Sequence, residues 1–269
     1  MTSLASGKGH RDENFPVASW VVARRHRAPI MAFYRFARAA DDVADHAQAS
    51  AEDKLRRLRA MRAGLLGAGD TEAVALGAVM AREGLDPRHA NDLLDAFEQD
   101  VAVSRYADWD ALIAYCRVSA MPVGRFVLDV HGESRALWPA NDALCAALQI
   151  INHVQDCGED YRALDRVYLP LDTLAAHGAR VEDLGAEHAS PALLAAIRDT
   201  ARHTRDLLAE ARPFAAGIRD RRLAAEVRVI QRLAEDLNDR LLHRDPLSER
   251  VHHSKREVAS LALRALVSR

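Results

Sequence analysis

Tyr34-Arg35-Phe36-Ala37-Arg38-Ala39-Ala40-Asp41-Asp42-Val43-Ala44-Asp45 sets Tyr34, Arg38, Asp41 and Asp45 apart by four, three and four residues. At 100° per residue these four share one narrow stripe of a helix. Phe33, Phe36, Ala37 and Ala40 stand around the stripe and are apolar enough to bury the helix, which predicts a charged row facing an internal cavity. A solvated face with Arg38 paired to Asp41 or Asp42 also accounts for one such row. A second row shifts the balance: Gln149, Asn152, Asp156 and Asp160 step by three, four and four, flanked by Ile150, Ile151 and Val154. Buried polar groups need partners. Two rows facing each other predict a cavity that collects four or more oxygens, a donor set suited to Mg²⁺ bridging to a phosphorylated substrate. Asp41, Asp42, Asp45, Asp156 and Asp160 are the candidate metal ligands. Asn152 and Gln149 add amides directly or through water, and Arg38 offers bidentate donors to a diphosphate.

Outward from these rows the chain reads as helix throughout. Segments rich in alanine, leucine and arginine dominate, alternating β-branched and aromatic runs are missing, and aromatics make up 5% of residues, so the class is all-α. Pro29 fits the first turn of a helix running to about His46, Ser50 with Asp53 resembles a cap for the next, and Asp86-Pro87 and Ser190-Pro191 open two more. Between about 160 and 190 the pattern loosens around Pro170, Gly178 and Gly185, which reads as a connection within one domain over 1–269.

Bulk properties narrow the function. The 37 basic and 39 acidic residues leave a formal charge of −2, without the global field of a nucleic-acid binder. Cys116, Cys145 and Cys157 are odd in number and lack metal-type spacing; with no secretory signal read ahead of them, reduced cytosolic thiols are expected. No stretch reads as the roughly 20 apolar residues of a spanning helix, so a cytoplasmic protein is expected, at most peripheral to the inner face of a membrane. Residues 219–269 carry 12 Lys/Arg against 8 Asp/Glu, an excess that suits either an anionic membrane surface or a solvated amphipathic helix. His252-His253 and Arg24-Arg25-His26-Arg27 read as solvated surface, and Arg219, Arg221 and Arg222 as the closing of a helix junction.

The two rows resemble the metal-binding segments of the squalene/phytoene synthase family, the head-to-head prenyl synthases. Tyr34-x-x-x-Arg38-x-x-Asp41-Asp42-x-x-Asp45 is similar to the first segment, and Gln149-x-x-Asn152-x-x-x-Asp156-x-x-Glu159-Asp160 to the second. Arg166-Val167-Tyr168 is similar to the family stretch just beyond that second segment, and Tyr115-Cys116 and Val123-Gly124 resemble a further family helix. The resemblance spans about residues 11–256 and implies an all-α isoprenoid synthase fold with a central cavity lined by two aspartate-bearing helices. It also implies Mg²⁺ on Asp41, Asp45, Asp156 and Asp160, with Arg38, Asn152, Arg166 and Tyr168 holding diphosphate or lining the pocket.

Departures from the family pattern narrow the resemblance further. Arg11-Asp12-Glu13-Asn14-Phe15 replaces a hydroxyl-rich diphosphate stretch, neither Arg117 nor Val118 is the tyrosine that squalene-forming members carry at that place, and Gln155 occupies a place where a basic residue is common. Gly9 to Pro16 and Asn152-His153-Val154-Gln155-Asp156-Cys157-Gly158 resemble the bacterial hydroxysqualene synthases of hopanoid biosynthesis. That subgroup implies an Mg²⁺-dependent diphosphate lyase that ionises presqualene diphosphate, rearranges the cation and captures water, without NADPH. It also implies functional pairing with a separate presqualene diphosphate synthase. Asn14, Arg117 and Gln155 become candidates for positioning the water or the leaving group, with Phe15 beside them. A presqualene diphosphate, squalene or phytoene synthase is the alternative within enzymes; a noncatalytic interaction protein of the same fold is the alternative outside them.

Overall fold

Short polar side chains mark several helix starts of this chain, and the computed structural model, which describes residues 23–46 and 48–267, shows how they work. Ser50 accepts a hydrogen bond from the Asp53 N–H and opens α2 (Ala51–Gly64), after α1 (Arg24–Ala44). Asp70 accepts from Glu72 and Ala73 and opens α3 (Thr71–Glu83); Asp86 accepts from the Arg88 N–H at the start of α4 (Arg88–Ala102). Each such cap satisfies amide donors that a first helical turn leaves unpaired. Pro29 departs from expectation. It is the sixth residue of α1 and buried, so the helix forgoes the bond to the residue 25 carbonyl and retains the proline for its apolar ring.

Two compact units divide the chain: Met1–Val103 with Val118–Arg135, and Ser104–Arg117 with Ala136–Arg269. The connecting stretch forms α5 (Trp109–Ser119) and α6 (Met121–Val130). Within residues 109–130 an 18-residue window reaches the mean hydropathy of a membrane span, 1.3, against the expectation that no such stretch exists. The chain there is nonetheless two helices separated at Ala120, with Tyr115, Cys116 and Phe126 buried in protein.

In the first unit α1 packs against α2, α3, α4 and α6. Phe36, Leu58, Leu76, Leu94 and Phe126 are fully buried in its core, and Phe33 stacks on Phe126 with ring centroids 4.0 Å apart. Gly77 on α3 permits a close approach, because a Cβ there would lie 2.3 Å from the Leu65 carbonyl oxygen.

The second unit contains α7 (Trp138–Gln155), α8 (Cys157–Leu164), α9 (Leu171–Ala176), α10 (Pro191–Ala211), α11 (Phe214–Gly217), α12 (Arg221–Leu241) and α13 (Lys255–Val267). Its central helix is α10, capped by Ser190 and opened by Pro191, packed against α7 and α12. Asn238 on α12 donates to the Ala201 carbonyl of α10 at 3.0 Å, and Asp220 caps α12 beside Arg221 and Arg222. The loose stretch 160–190 belongs to this unit and holds α9 and a 3₁₀ turn. No strand occurs among the described residues; one isolated bridge joins Arg105 and Val167.

Candidate functional site

At the C-terminal end of α1, Arg38 Nη1 meets Asp41 Oδ2 at 2.7 Å and Nη2 meets Asp42 Oδ1 at 3.2 Å. All three side chains are partly buried, and Asp45 caps the helix by donating its N–H to the Asp41 carbonyl. The last turn holds no basic residue. Three carboxylates therefore sit at the negative pole of the helix dipole, which disfavours anions and raises the attraction for a cation. Arg38 supplies that charge within the helix. Tyr34, one turn back on the same stripe, is half-buried.

The second row departs from the continuous helix expected. Asp156 has φ −100° and ψ 7° and both ends α7 and precedes α8. The i, i+4 relation nevertheless survives, since the Asp160 N–H donates to the Asp156 carbonyl at 2.8 Å and the Asp156 N–H to the Asn152 carbonyl at 3.0 Å. Asn152, Asp156 and Asp160 are half-buried. Asp156 thus stands at the C-terminus of α7 and Asp160 in the first turn of α8, and hard carboxylate oxygens such as these are donors that fit Mg²⁺.

His153, which sequence reasoning did not single out as a site residue, links this row. Its Nε2 lies 3.2 Å from Gln149 Nε2, and its Nδ1 lies 3.9 Å from Asp160 Oδ2, an ion-pair distance too long for a hydrogen bond. Burial pushes the imidazole below its ordinary pKa of 6.5 although Asp160 pulls the other way, so the ring is neutral at neutral pH. The ring stacks on Tyr168, 3.4 Å between centroids, and Tyr168 in turn lies near Tyr106 and Tyr115, at 5.6 and 5.8 Å. The four-residue offset of His153 from Gln149 was the available signal; its apolar neighbours concealed it.

Arg166 is half-buried, and its N–H donates to the Asp160 carbonyl at 3.3 Å. Gln155 is buried; its Nε2 donates to the Val251 carbonyl, and its Oε1 has no partner among the described residues. Arg117 is exposed on α5. Asn14 and Phe15 lie outside the described residues. Desolvation pushes the Cys116 and Cys157 thiols up to about 12, which keeps both protonated and unfit as nucleophiles or ligands. His252 and His253 are not solvated surface: the His253 side chain is 6% exposed, with Nε2 2.9 Å from Asp236 Oδ2, and burial lowers the pKa of His252. Their neighbours on α12, not their own sequence, create that burial.

Among the described residues the chain is helical, with carboxylates at the C-terminal end of α1 and at the junction of α7 and α8. A squalene synthase from Alicyclobacillus acidocaldarius superposes with a TM-score of 0.74 at 30% identity, over 84% of this chain and 86% of that one. A dehydrosqualene synthase matches at 0.76 and 22% identity, over 94% and 90%, and shows the fold alone. The squalene/phytoene synthase family model matches residues 9–257, and the chain belongs to that family. Relatives named hydroxysqualene synthase are 58% identical in Rhodopseudomonas palustris, over 93% of this chain and 87% of that protein. The corresponding figures in Zymomonas mobilis are 56%, 99% and 91%.

Proposed function

We propose that this chain is a hydroxysqualene synthase, converting presqualene diphosphate and water to hydroxysqualene and diphosphate. The observation that carries the reading is identity of 52–58% to three hydroxysqualene synthases over nearly the whole chain. A single functional domain over 1–269 is part of the proposal, supported by one family model matching residues in both compact units.

We extend the proposal to Mg²⁺ with Asp41, Asp42 and Asp45 as ligands from the first motif and Asn152, Asp156 and Asp160 from the second, supported by the carboxylate chemistry at the two helix ends. When bound, the metal withdraws charge from the leaving diphosphate and makes C–O ionisation feasible. The chain's own groups do the rest. Arg38 turns from its carboxylates toward the diphosphate, with Arg166 assisting. Tyr106, Tyr115 and Tyr168, packed on one another and on His153, would wall that side of the site with electron-rich, non-nucleophilic rings, surroundings in which a carbocation survives long enough to rearrange. Tyr34 and Gln149 complete the pocket, and Asn14, Phe15, Arg117 and Gln155 remain the candidates for guiding the water and the leaving group. Water ends the reaction, so no hydride donor such as NADPH takes part. The substrate comes from a separate presqualene diphosphate synthase acting in the same pathway.

A cytoplasmic enzyme touching the membrane surface fits a hydrocarbon-like product. Leu263 and Leu266 on α13 are 65% and 53% exposed, on a helix whose first turn carries the exposed cations Lys255 and Arg256, a composition suited to an anionic bilayer.

The deciding experiment is product analysis by gas chromatography and mass spectrometry, with Mg²⁺ and either presqualene diphosphate or farnesyl diphosphate, each with and without NADPH. Hydroxysqualene from presqualene diphosphate, independent of NADPH, is the expected result. Squalene or presqualene diphosphate formed from farnesyl diphosphate would replace this reading.

A further inference from the structure

Among the described residues Asp165 is the one non-glycine residue with a positive φ, 52°. It closes α8: the Asp165 N–H donates to the Tyr161 carbonyl at 3.1 Å, and the Arg166 N–H donates to the Asp160 carbonyl at 3.3 Å. Many helices end on a left-handed residue that accompanies a bond like the one from Asp165 to Tyr161, and glycine is usual there because a Cβ crowds the following carbonyl. An aspartate takes that conformation at a cost that glycine does not bear, which contacts from outside the turn can offset.

Arg105 provides such contacts. Its Nη1 donates to the Asp165 carbonyl and its Nη2 lies 2.5 Å from Asp165 Oδ1, while Nη1 also donates to the Ser104 carbonyl at 2.9 Å. One guanidinium thereby grips the main chain and the side chain of the strained residue together. The flanking backbones run side by side: Val167 N–H donates to Ser104, Leu171 N–H to Tyr106 and Asp172 N–H to Ala107, at 2.9 to 3.0 Å. Tyr106, next to Arg105, stacks on Tyr168. A surface ion pair adds little stability by itself; this one matters through the residues next along the chain from Asp165, namely Arg166, Val167 and Tyr168.

We propose that Arg105 is a positioning residue that holds Asp165 in its left-handed conformation, and so fixes the Arg166 peptide on Asp160 and the Tyr168 ring on His153, setting the affinity for the diphosphate group. The inference rests on the reading of Asp160 and Arg166 as part of the diphosphate site.

Four proteins test it: wild type, Arg105→Leu, Asp165→Gly and the double variant. Each is assayed for kcat and KM with presqualene diphosphate, and for binding of inorganic diphosphate with Mg²⁺ by calorimetry. Arg105→Leu raises KM and the diphosphate dissociation constant about 10-fold, the scale of a lost charge-assisted hydrogen bond, with little change in kcat. Asp165→Gly stays near wild type, because glycine adopts the conformation unaided. The double variant recovers to within about 3-fold of Asp165→Gly, since the conformation that Arg105 enforced no longer needs enforcing. A merely structural loss would not be rescued in this way. Unchanged KM and binding in Arg105→Leu overturn the proposal, as does a double variant no better than Arg105→Leu, which would mean that Arg105 acts on the ligand directly. Should Arg105→Leu fail to fold by circular dichroism, Arg105→Lys replaces it; it keeps the charge but loses the two-pronged grip, so weaker binding is again expected. If wild type turns over no presqualene diphosphate, the proposed function fails, and the calorimetric series still decides the role of Arg105.

Discussion

The imidazole of His153 lies flat on the phenol ring of Tyr168, with centroids 3.4 Å apart and planes 12° from parallel. Tyr168 is 7% exposed, so its removal leaves a cavity beside the second acidic row. Tyr168→Ala is expected to cost about 3–5 kcal/mol, as for other large aromatic truncations, and Tyr168→Phe within about 1 kcal/mol. Urea denaturation of the two variants measures both; equal losses would show that the hydroxyl and not the ring matters.

Asp41→Asn and Asp156→Asn keep the shape of each side chain and remove its charge. Turnover of presqualene diphosphate should fall by about 10³-fold or more while far-ultraviolet circular dichroism is unchanged, since the lost term is charge stabilisation at ionisation. An active Asp156→Asn enzyme would remove the metal-cluster proposal.

Glu257 lends the C-terminal helix a pH dependence. The Ser254 hydroxyl and N–H, then the Arg240 guanidinium, hold its carboxyl from 4.5 down to about 2; Arg240 Nη2 lies 2.6 Å from Glu257 Oε1. A group with a depressed folded pKa contributes its full stability above the unfolded value, and that contribution is lost as pH falls from 4.5 through about 2. Glu257→Gln should therefore melt below wild type at pH 6, with the gap closing as pH falls toward 2.5. A gap that stays constant with pH would sink the assignment.

Gly77→Ala would drive a Cβ to 2.3 Å from the Leu65 carbonyl oxygen, so a destabilisation of about 1–3 kcal/mol is expected from overpacking. Gly84→Ala meets open space at φ 66° and should cost nearer 1 kcal/mol, for the left-handed conformation alone. Denaturation midpoints of the pair rank the two effects.

Co-sedimentation with liposomes containing phosphatidylglycerol tests the exposed face of α13. Binding at low salt that weakens with salt is expected, with a reduction of about 10-fold or more for Leu263→Ser with Leu266→Ser, from the lost apolar burial. Wild-type protein that stays in the supernatant at low salt ends the proposal of membrane contact.

The features legible in the sequence were local. The helical class, the caps at Ser50 and Ser190 and the stripes ending in Asp45 and Asp160 come from spacings of three and four residues, which a helix converts directly into neighbours. The break at Asp156 was not legible, because Asp160 preserves the same spacing across it. Tertiary structure alone decided that Gln155 bonds to Val251, 96 residues away, that His253 is buried on Asp236, and that Arg105 reaches Asp165 across 60 residues. No periodicity encodes such pairs: the partner of a side chain that leaves its own helix is chosen by how the helices pack, and packing depends on every buried residue at once.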